Sequence, residues 1–408
     1  MTLAQHVLRT QDDIRILVEL SLGGATKGYS FQEFTPVGSS ILYEGRLKSV
    51  FNLSKDRDPL YFGKVAFSGG TISLINGDGE FDQYAADAGF IPLVFDGSWV
   101  YDGSQTWDGV RVPGIYGGQV QIKFGYSDMD ISTYYTVYTG YIDSLAIDEE
   151  TFSISVRDKR KKLDTEIQDS WINTNALTVI KEAIILADPS ISYTSTYFDT
   201  TAWAAASALA PLVSVDMIDP KPANDVIEMI CLSVFGELII TPAGLFSFKF
   251  INPDATASTT IVNTDVLNKY SITYDPSNVI SSAIVFCDID YNLNTGNYAT
   301  KVKDTTREAL VYARYGVYKE QEFYTYLPNA TAASVFSATI LDYFQDVHGT
   351  FDITVPMRYY TLEVGDVVNV EINRVATTMV GTKKCEILGV SYDLERALIN
   401  LRLRICYD

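Results

Sequence analysis

The chain has 408 residues, 47% of them apolar and 20% charged, so it can build two to four domains with real cores and is not a disordered chain. Its 51 acidic and 31 basic side chains leave a formal charge of −20, which argues against nucleic acid or an anionic membrane as the main partner. The four cysteines, Cys231, Cys287, Cys385 and Cys406, form no C-x-x-C pair, which excludes the usual zinc and iron–sulfur frameworks and predicts free, buried thiols in a reducing cytoplasm.

The start, MTLAQHVLRTQDDIRI, lacks a basic segment followed by an apolar one, so no signal peptide is expected. With 27 Tyr, 20 Phe and abundant Thr, Val and Ile, the composition favours strands. Residues 14–21 (IRILVELS) read as the first of these, followed by a Gly-rich turn, and further strands are predicted at 41–52 and 71–75. The last runs into Asn76-Gly77-Asp78-Gly79-Glu80-Phe81-Asp82, whose alternating oxygens invite a calcium reading. A calcium loop wants Gly at its sixth position and Glu at its twelfth, where this sequence has Phe81 and Asp87. A strand-ending turn built on Asn-Gly and Asp-Gly is the simpler reading.

An aromatic-Asp-Gly triplet then recurs every six residues, beginning at Phe95, Tyr101 and Trp107. The segment 95–117 reads as a loop or pair of tight hairpins, and its aromatics offer a surface for sugar or protein contact. Strands resume at 118–125 and 133–139. The stretch Tyr141–Asp158 alternates on both sides of an acidic turn, the pattern of a β-hairpin with one buried face. Its end carries Arg157, Lys159, Arg160, Lys161 and Lys162, a basic run that reads first as a solvated turn and second as a site for a neighbour's carboxylates.

Near residue 165 the period changes. Helices are predicted at 175–188, capped by Asn175 and stopped by Pro189, and at 223–235, ended by Gly236. The strands ELIITP and LFSFKFI follow, giving a compact α+β module. The apolar stretch Val226–Phe250 is broken by Glu228, Glu237, Pro242 and Lys249, so no membrane span is expected. Strands return at 270–275 and 279–292, a helix at 331–346, and strands at 351–357 and 364–372. The closing hairpin, EILGVSYDLERALINLRLR, matches the earlier one without a gap: Ile142 falls on Ile387, Leu145 on Val390, Asp148 on Asp393, Ile154 on Ile399 and Arg157 on Arg402. In both halves a Gly turn, Gly117-Gly118 or Gly365-Asp366, leads into the strand before the hairpin. Two copies of one small β-domain in a single chain are therefore expected.

Chemistry is sparse. The two histidines are His6 and His348, the latter assigned to favourable contact with a helix dipole. No H-E-x-x-H, G-x-S-x-G, Walker or G-x-G-x-x-G motif occurs, and the nominal carboxylate pair Asp78 and Glu80 is explained by its turn. No catalytic residue, cofactor or metal is expected.

TISLINGDGEFD, TWDGVRVPGIYGGQVQIKFG with YTVYTGYIDS, FGELIITPAGLFSFKF and ITVPMRYYTLEVGDVVNVEI, taken in that order, resemble the hub proteins of phage tails: baseplate hubs of contractile tails and tail-tip proteins of long flexible ones. The resemblance spans 14–404. It implies a mainly β fold with an α+β middle module and two small β-barrel-like domains of related topology, divided here as 1–164, 165–268 and 269–408. It further implies a homotrimer near sixfold symmetry that joins a tail tube or distal tail protein to a central spike or fibre, beside a tape-measure protein. The trimer would line a DNA channel without specific nucleic-acid binding, in a virion assembled in the host cytoplasm. The sequence stops at Asp408 just after the closing hairpin, so the peptidase or fibre fused to some hubs is not expected. A stand-alone glycan-binding module using Phe95, Tyr101 and Trp107 is the rival reading, and a cell-wall hydrolase the third.

Overall fold

The computed structural model describes residues 14–22, 25–57, 65–67, 69–84, 90–91, 110–111, 117–217, 219–289, 298–372 and 381–406. Its first half is built on strands β1 (Ile14–Leu22), β2 (Ala25–Ser30), β3 (Tyr43–Glu44), β4 (Leu47–Ser49), β5 (Leu53–Arg57), β6 (Val65–Phe67) and β7 (Gly70–Ile75). A two-strand ladder, β8 (Phe90–Ile91) with β9 (Val110–Arg111), precedes β10 (Gln119–Tyr126), β11 (Tyr135–Ile147) and β12 (Thr151–Arg157). Eight of these form one sheet in the order β3-β2-β1-β10-β11-β12-β7-β4. The strand expected over 41–52 is split at Gly45, where a Cβ would meet the backbone nitrogen of Glu33 at 2.8 Å. β5 and β6 leave this sheet altogether.

The middle module holds β13 (Glu166–Ile167), β14 (Ser170–Asn175), β15 (Leu212–Asp216), β16 (Lys221–Pro222), β17 (Gly236–Ile240) and β18 (Phe246–Phe250), paired two by two. The helix Ala176–Ala187 starts where Asn175 Oδ1 accepts from the N–H of Leu177 at 3.1 Å and of Thr178 at 3.4 Å. It packs Leu177, Ile180 and Ile184 against Val226 and Ile230 of the helix Ala223–Ser233. A helix absent from the sequence reading, Thr200–Ser207, covers Phe246 and Phe248 with Trp203. Its Ala-rich run has no alternation of polar and apolar faces to announce it.

The last part adds β19 (Thr260–Ile261), β20 (Thr273–Tyr274), β21 (Ser282–Ile289), β22 (Tyr298–Asp304), β23 (Glu320–Tyr324), β24 (Gly349–Pro356), β25 (Val367–Ile372), β26 (Gly381–Asp393) and β27 (Leu398–Ile405). The second large sheet runs β19-β25-β26-β27-β24-β20, and β5 and β6 join it through β26. The helix Ala330–Phe344 does not cover that sheet. It lies on a separate three-strand sheet, β22-β21-β23, with Phe336, Ile340 and Phe344 against Ala283, Val285 and Cys287. The apolar faces of the two large sheets share one continuous core. The protein is thus mainly β with an α+β middle module and two β-rich units of related topology.

The relation between those units is visible in the hydrogen bonds. In the first, Gly117 N–H donates to Ile142 O and Ile142 N–H to Gly118 O, both at 2.9 Å. In the second, Gly365 N–H donates to Ile387 O at 2.8 Å and Ile387 N–H to Asp366 O at 2.9 Å. Gly117 and Gly365 hold φ of 80° and 82°, the left-handed region that lets the chain turn away from the ladder. One extra residue then bulges out of each hairpin, Asp143 between Ile142 and Ser144, and Leu388 between Ile387 and Gly389.

The gapless match holds only on the first strand of each hairpin. Leu145 pairs with Ile154, whereas Val390 pairs with Leu401, so Ile154 corresponds to Leu401 and not to Ile399. Likewise Tyr141 pairs with Arg157 and Glu386 with Arg404, so Arg157 corresponds to Arg404 and not to Arg402. The closing turn is two residues longer. A shift of two keeps every side chain on its own face, which is why the gapless reading still aligned apolar with apolar.

Equivalent glycines give a paired test. Gly117→Ala places its Cβ more than 4 Å from any described neighbour and costs the backbone strain, about 1–2 kcal/mol. Gly365→Ala adds a Cβ 2.8 Å from Arg57 Nη2. In urea unfolding the second variant has the lower midpoint; equal midpoints would show that Arg57 is not held there.

Candidate interaction sites

The first site is internal. Arg57, at the end of β5, is buried among segments far apart in sequence. Its Nε and Nη2 donate to the two carboxylate oxygens of Glu237 on β17, the Nη2 bond at 2.9 Å, and its Nη1 donates to Glu386 on β26 at 2.5 Å. Tyr343, on the helix Ala330–Phe344, donates its hydroxyl to the other oxygen of Glu386 at 2.8 Å. Burial pushes the Glu237 carboxyl above its ordinary range, and the Arg57 charge acts against that. The sequence carried one signal here, a carboxylate inside each of two apolar strands, ELII and CEILGV. It could not show that one guanidinium serves both.

Next to it, Arg404 lies over the Tyr343 ring at 3.5 Å and donates to His348 Nε2 at 3.3 Å. The His348 Nδ1–H donates to Ile405 O at 2.8 Å. Burial and the Arg404 charge push the imidazole down to about 4. His348 is therefore neutral between a donor and an acceptor, and the helix-dipole reading is corrected: a cation there would face Arg404.

The basic run folds into a 3-10 turn, Lys159–Asp164, capped by the Asp158 side chain. Asp143, the residue that bulges from β11, binds Arg157 at 2.8 Å and also Lys161. Lys162 pairs with Asp188 at 2.6 Å and Arg160 with Asp158 at 2.9 Å. Lys159 is buried, its ammonium 5.1 Å from the Tyr197 ring centroid. The structure thus brings these five cations to the seam between the first sheet and the middle module. Phe95, Tyr101 and Trp107 lie outside the described residues.

The Asn76–Asp82 turn is closed by its own polar groups. Buried Asn76 donates to Asp82 at 2.8 Å and accepts from the Phe81 N–H at 3.0 Å. Asp78 is gripped by both Arg46 terminal nitrogens, at 2.8 and 2.6 Å, which hold its carboxyl well below the usual range. Glu80 meets Arg46 at 2.7 Å and Lys27 at 3.0 Å. All four cysteines are free and buried, and burial pushes the Cys287 and Cys406 thiols up to about 11.

No family model matches the chain, and no curated protein matches it in sequence. Solved structures do match. A tail protein from Neisseria meningitidis aligns over 96% of this chain and 96% of its own at 12% identity and a TM-score of 0.54. The 43 kDa tail protein of prophage MuSo2 from Shewanella oneidensis covers 96% and 98% at 13% identity and a TM-score of 0.49. A prophage tail protein from Listeria monocytogenes covers 96% and 94% at 11% identity and a TM-score of 0.47. The fold is shared with the Neisseria tail protein over nearly the whole length of both chains. It is the fold that the sequence resemblance implied.

Replacing Arg57 by Met leaves two buried carboxylates without their cation, and the expected loss is about 3–5 kcal/mol. Chemical denaturation reads it, and a loss below that of an ordinary surface substitution would contradict the burial described. A second expectation concerns acid. The His348 imidazole, down at about 4 in the folded chain, binds fewer protons than in the unfolded chain between about 4 and its ordinary 6.5. Stability contributed by the neutral ring is complete above the unfolded value and is lost as pH falls through that window. His348→Gln should flatten the decline, and an NMR titration of the native imidazole near 6.5 would refute it.

Proposed function

We propose that this chain is the structural hub subunit of a phage-type tail, in a baseplate or tail tip, carrying out no catalysis of its own. In this reading three copies form a ring that joins a sixfold tail tube to a threefold central spike or fibre and surrounds the path of the DNA. The observation that carries it is the internal repeat: two units with the same meander, bulge and left-handed glycine in one polypeptide. Three such chains present six similar units around an axis, which reconciles the two symmetries with a single gene product. The fold shared with the Neisseria tail protein supports the same class.

A closed ring needs obligate contacts on the order of 2,000 Å² or more. Contacts from the 95–117 segment and from the outer faces of Arg157, Lys161 and Lys162 belong to this proposal. So does a lumen lined by part of the −20 charge, which would repel the phosphate backbone and let DNA pass without sticking. A reconstruction of the particle tests it. Three copies around the axis are expected; six copies, or one copy off the axis, overturn the ring, and a basic channel overturns the sliding argument alone.

A further inference from the structure

The repeated strands β11 and β26 offer the same edge to a further strand, and among the described residues only the edge of β26 is taken. On β26, residues Gly389–Tyr392 pair antiparallel with Leu53–Asp56 of β5, which has crossed over from the first half of the chain. Gly389 makes room for it, since a Cβ there would meet Asp56 Oδ1 at 2.1 Å. On β11 the equivalent residues are Ser144–Ile147, and among the described residues no strand lies along that edge.

Burial records the difference position by position. Gly389, Val390 and Tyr392 are buried and Ser391 half-buried, whereas Ser144 and Ala146 are exposed and Leu145 and Ile147 only half-buried. Asp148 N–H donates to Thr151 O, so by the alternation of an antiparallel ladder Ser144 and Ala146 bond to β12. The N–H and C=O groups of Leu145 and Ile147 then point to the open edge. An unpaired edge flanked by half-covered apolar side chains is a template for another strand.

Topology indicates which strand. The hairpin β5–β6 is inserted between β4 and β7; the corresponding neighbours in the second sheet are β20 and β24. The hairpin inserted there is β21–β22, whose outer strand β22 is itself an edge. β22 carries Lys301 and Lys303 in an acidic protein, and the turn beside the β11 edge carries exposed Asp148, Glu149 and Glu150. We propose that a second copy of this chain lays β22 along Ser144–Ile147, repeating between subunits the strand addition that β5 makes within one. The proposal rests on the ring of the preceding section and specifies its contact.

The full chain carrying Ala146→Cys and Lys301→Cys tests it, both positions being exposed and the native thiols buried. A short bis-maleimide should join up to three chains covalently, while either single-cysteine variant should give none. Lys301→Glu with Lys303→Glu should weaken the assembly at low salt, and Glu149→Lys with Glu150→Lys in the same chain should restore it. If trimers form but the double-cysteine chain stays at single-chain mass, the contact is wrong and the ring stands. If no trimer forms, alone or in the particle, both fall.

Discussion

One arginine between two carboxylates holds the arrangement of the whole molecule. Arg57 arrives on β5, which comes from the first half of the chain but pairs in the second sheet, Glu237 stands near the start of the hairpin of the middle module, and Glu386 lies on the longest strand of the second sheet. Tyr343 brings in the helix that covers the third, smaller sheet. Ion pairs in such places contribute little compared with a well-packed apolar substitute, because each charge gives up several kcal/mol of hydration. Their force is in the alternatives they exclude. Displacing any one of the four segments strands a charge or a phenol away from water, so the network penalises every other packing of these pieces.

The same strand design serves the two halves in different ways. The extra residue in β11 is Asp143, turned out to gather Arg157 and Lys161 at the seam with the middle module. Its counterpart in β26 is Leu388, buried in the interior. A bulge fixes where a side chain leaves the ladder, and the residue occupying it then decides whether that spot becomes a charged clamp or part of the core.

Strands with clear alternation, the helix that Asn175 caps, and the paired hairpins were legible because their signals are local; Gly236 was misjudged as a helix end, since the helix Ala223–Ser233 is capped by Val234, Phe235 takes the left-handed turn at φ 53°, and Gly236 opens β17. The repeat was legible for the same reason, down to the glycines ahead of each hairpin. Its two-residue slip was not, since period-two alternation cannot distinguish registers that differ by two. The crossing of β5 was also hidden: LSKDR has a single apolar residue, and what makes it a strand is the open edge of β26 more than 300 residues later in sequence. The helix Glu308–Tyr315, with only Val311 buried, likewise gave no stripe to read. Of the candidate site residues, the basic run was visible as a run, but its partners Asp143 and Asp188 come from other elements. The buried network was visible only as misplaced carboxylates.

The crossing strand also imposes an order in time. Arg57 and Glu386 stand 329 residues apart, so when the ribosome has released the β5 arm, nearly the entire remainder of the polypeptide has yet to be made. Sheet pairing of such separation is slow, because the closing of a long loop precedes any contact that rewards it. The middle module, whose contacts are near in sequence, can settle first. Until β26 emerges, the arm has no ladder and its guanidinium no counter-charge. A nascent chain that has not reached β26 therefore remains open at its centre, and it is a strand made more than 300 residues after the arm that closes it.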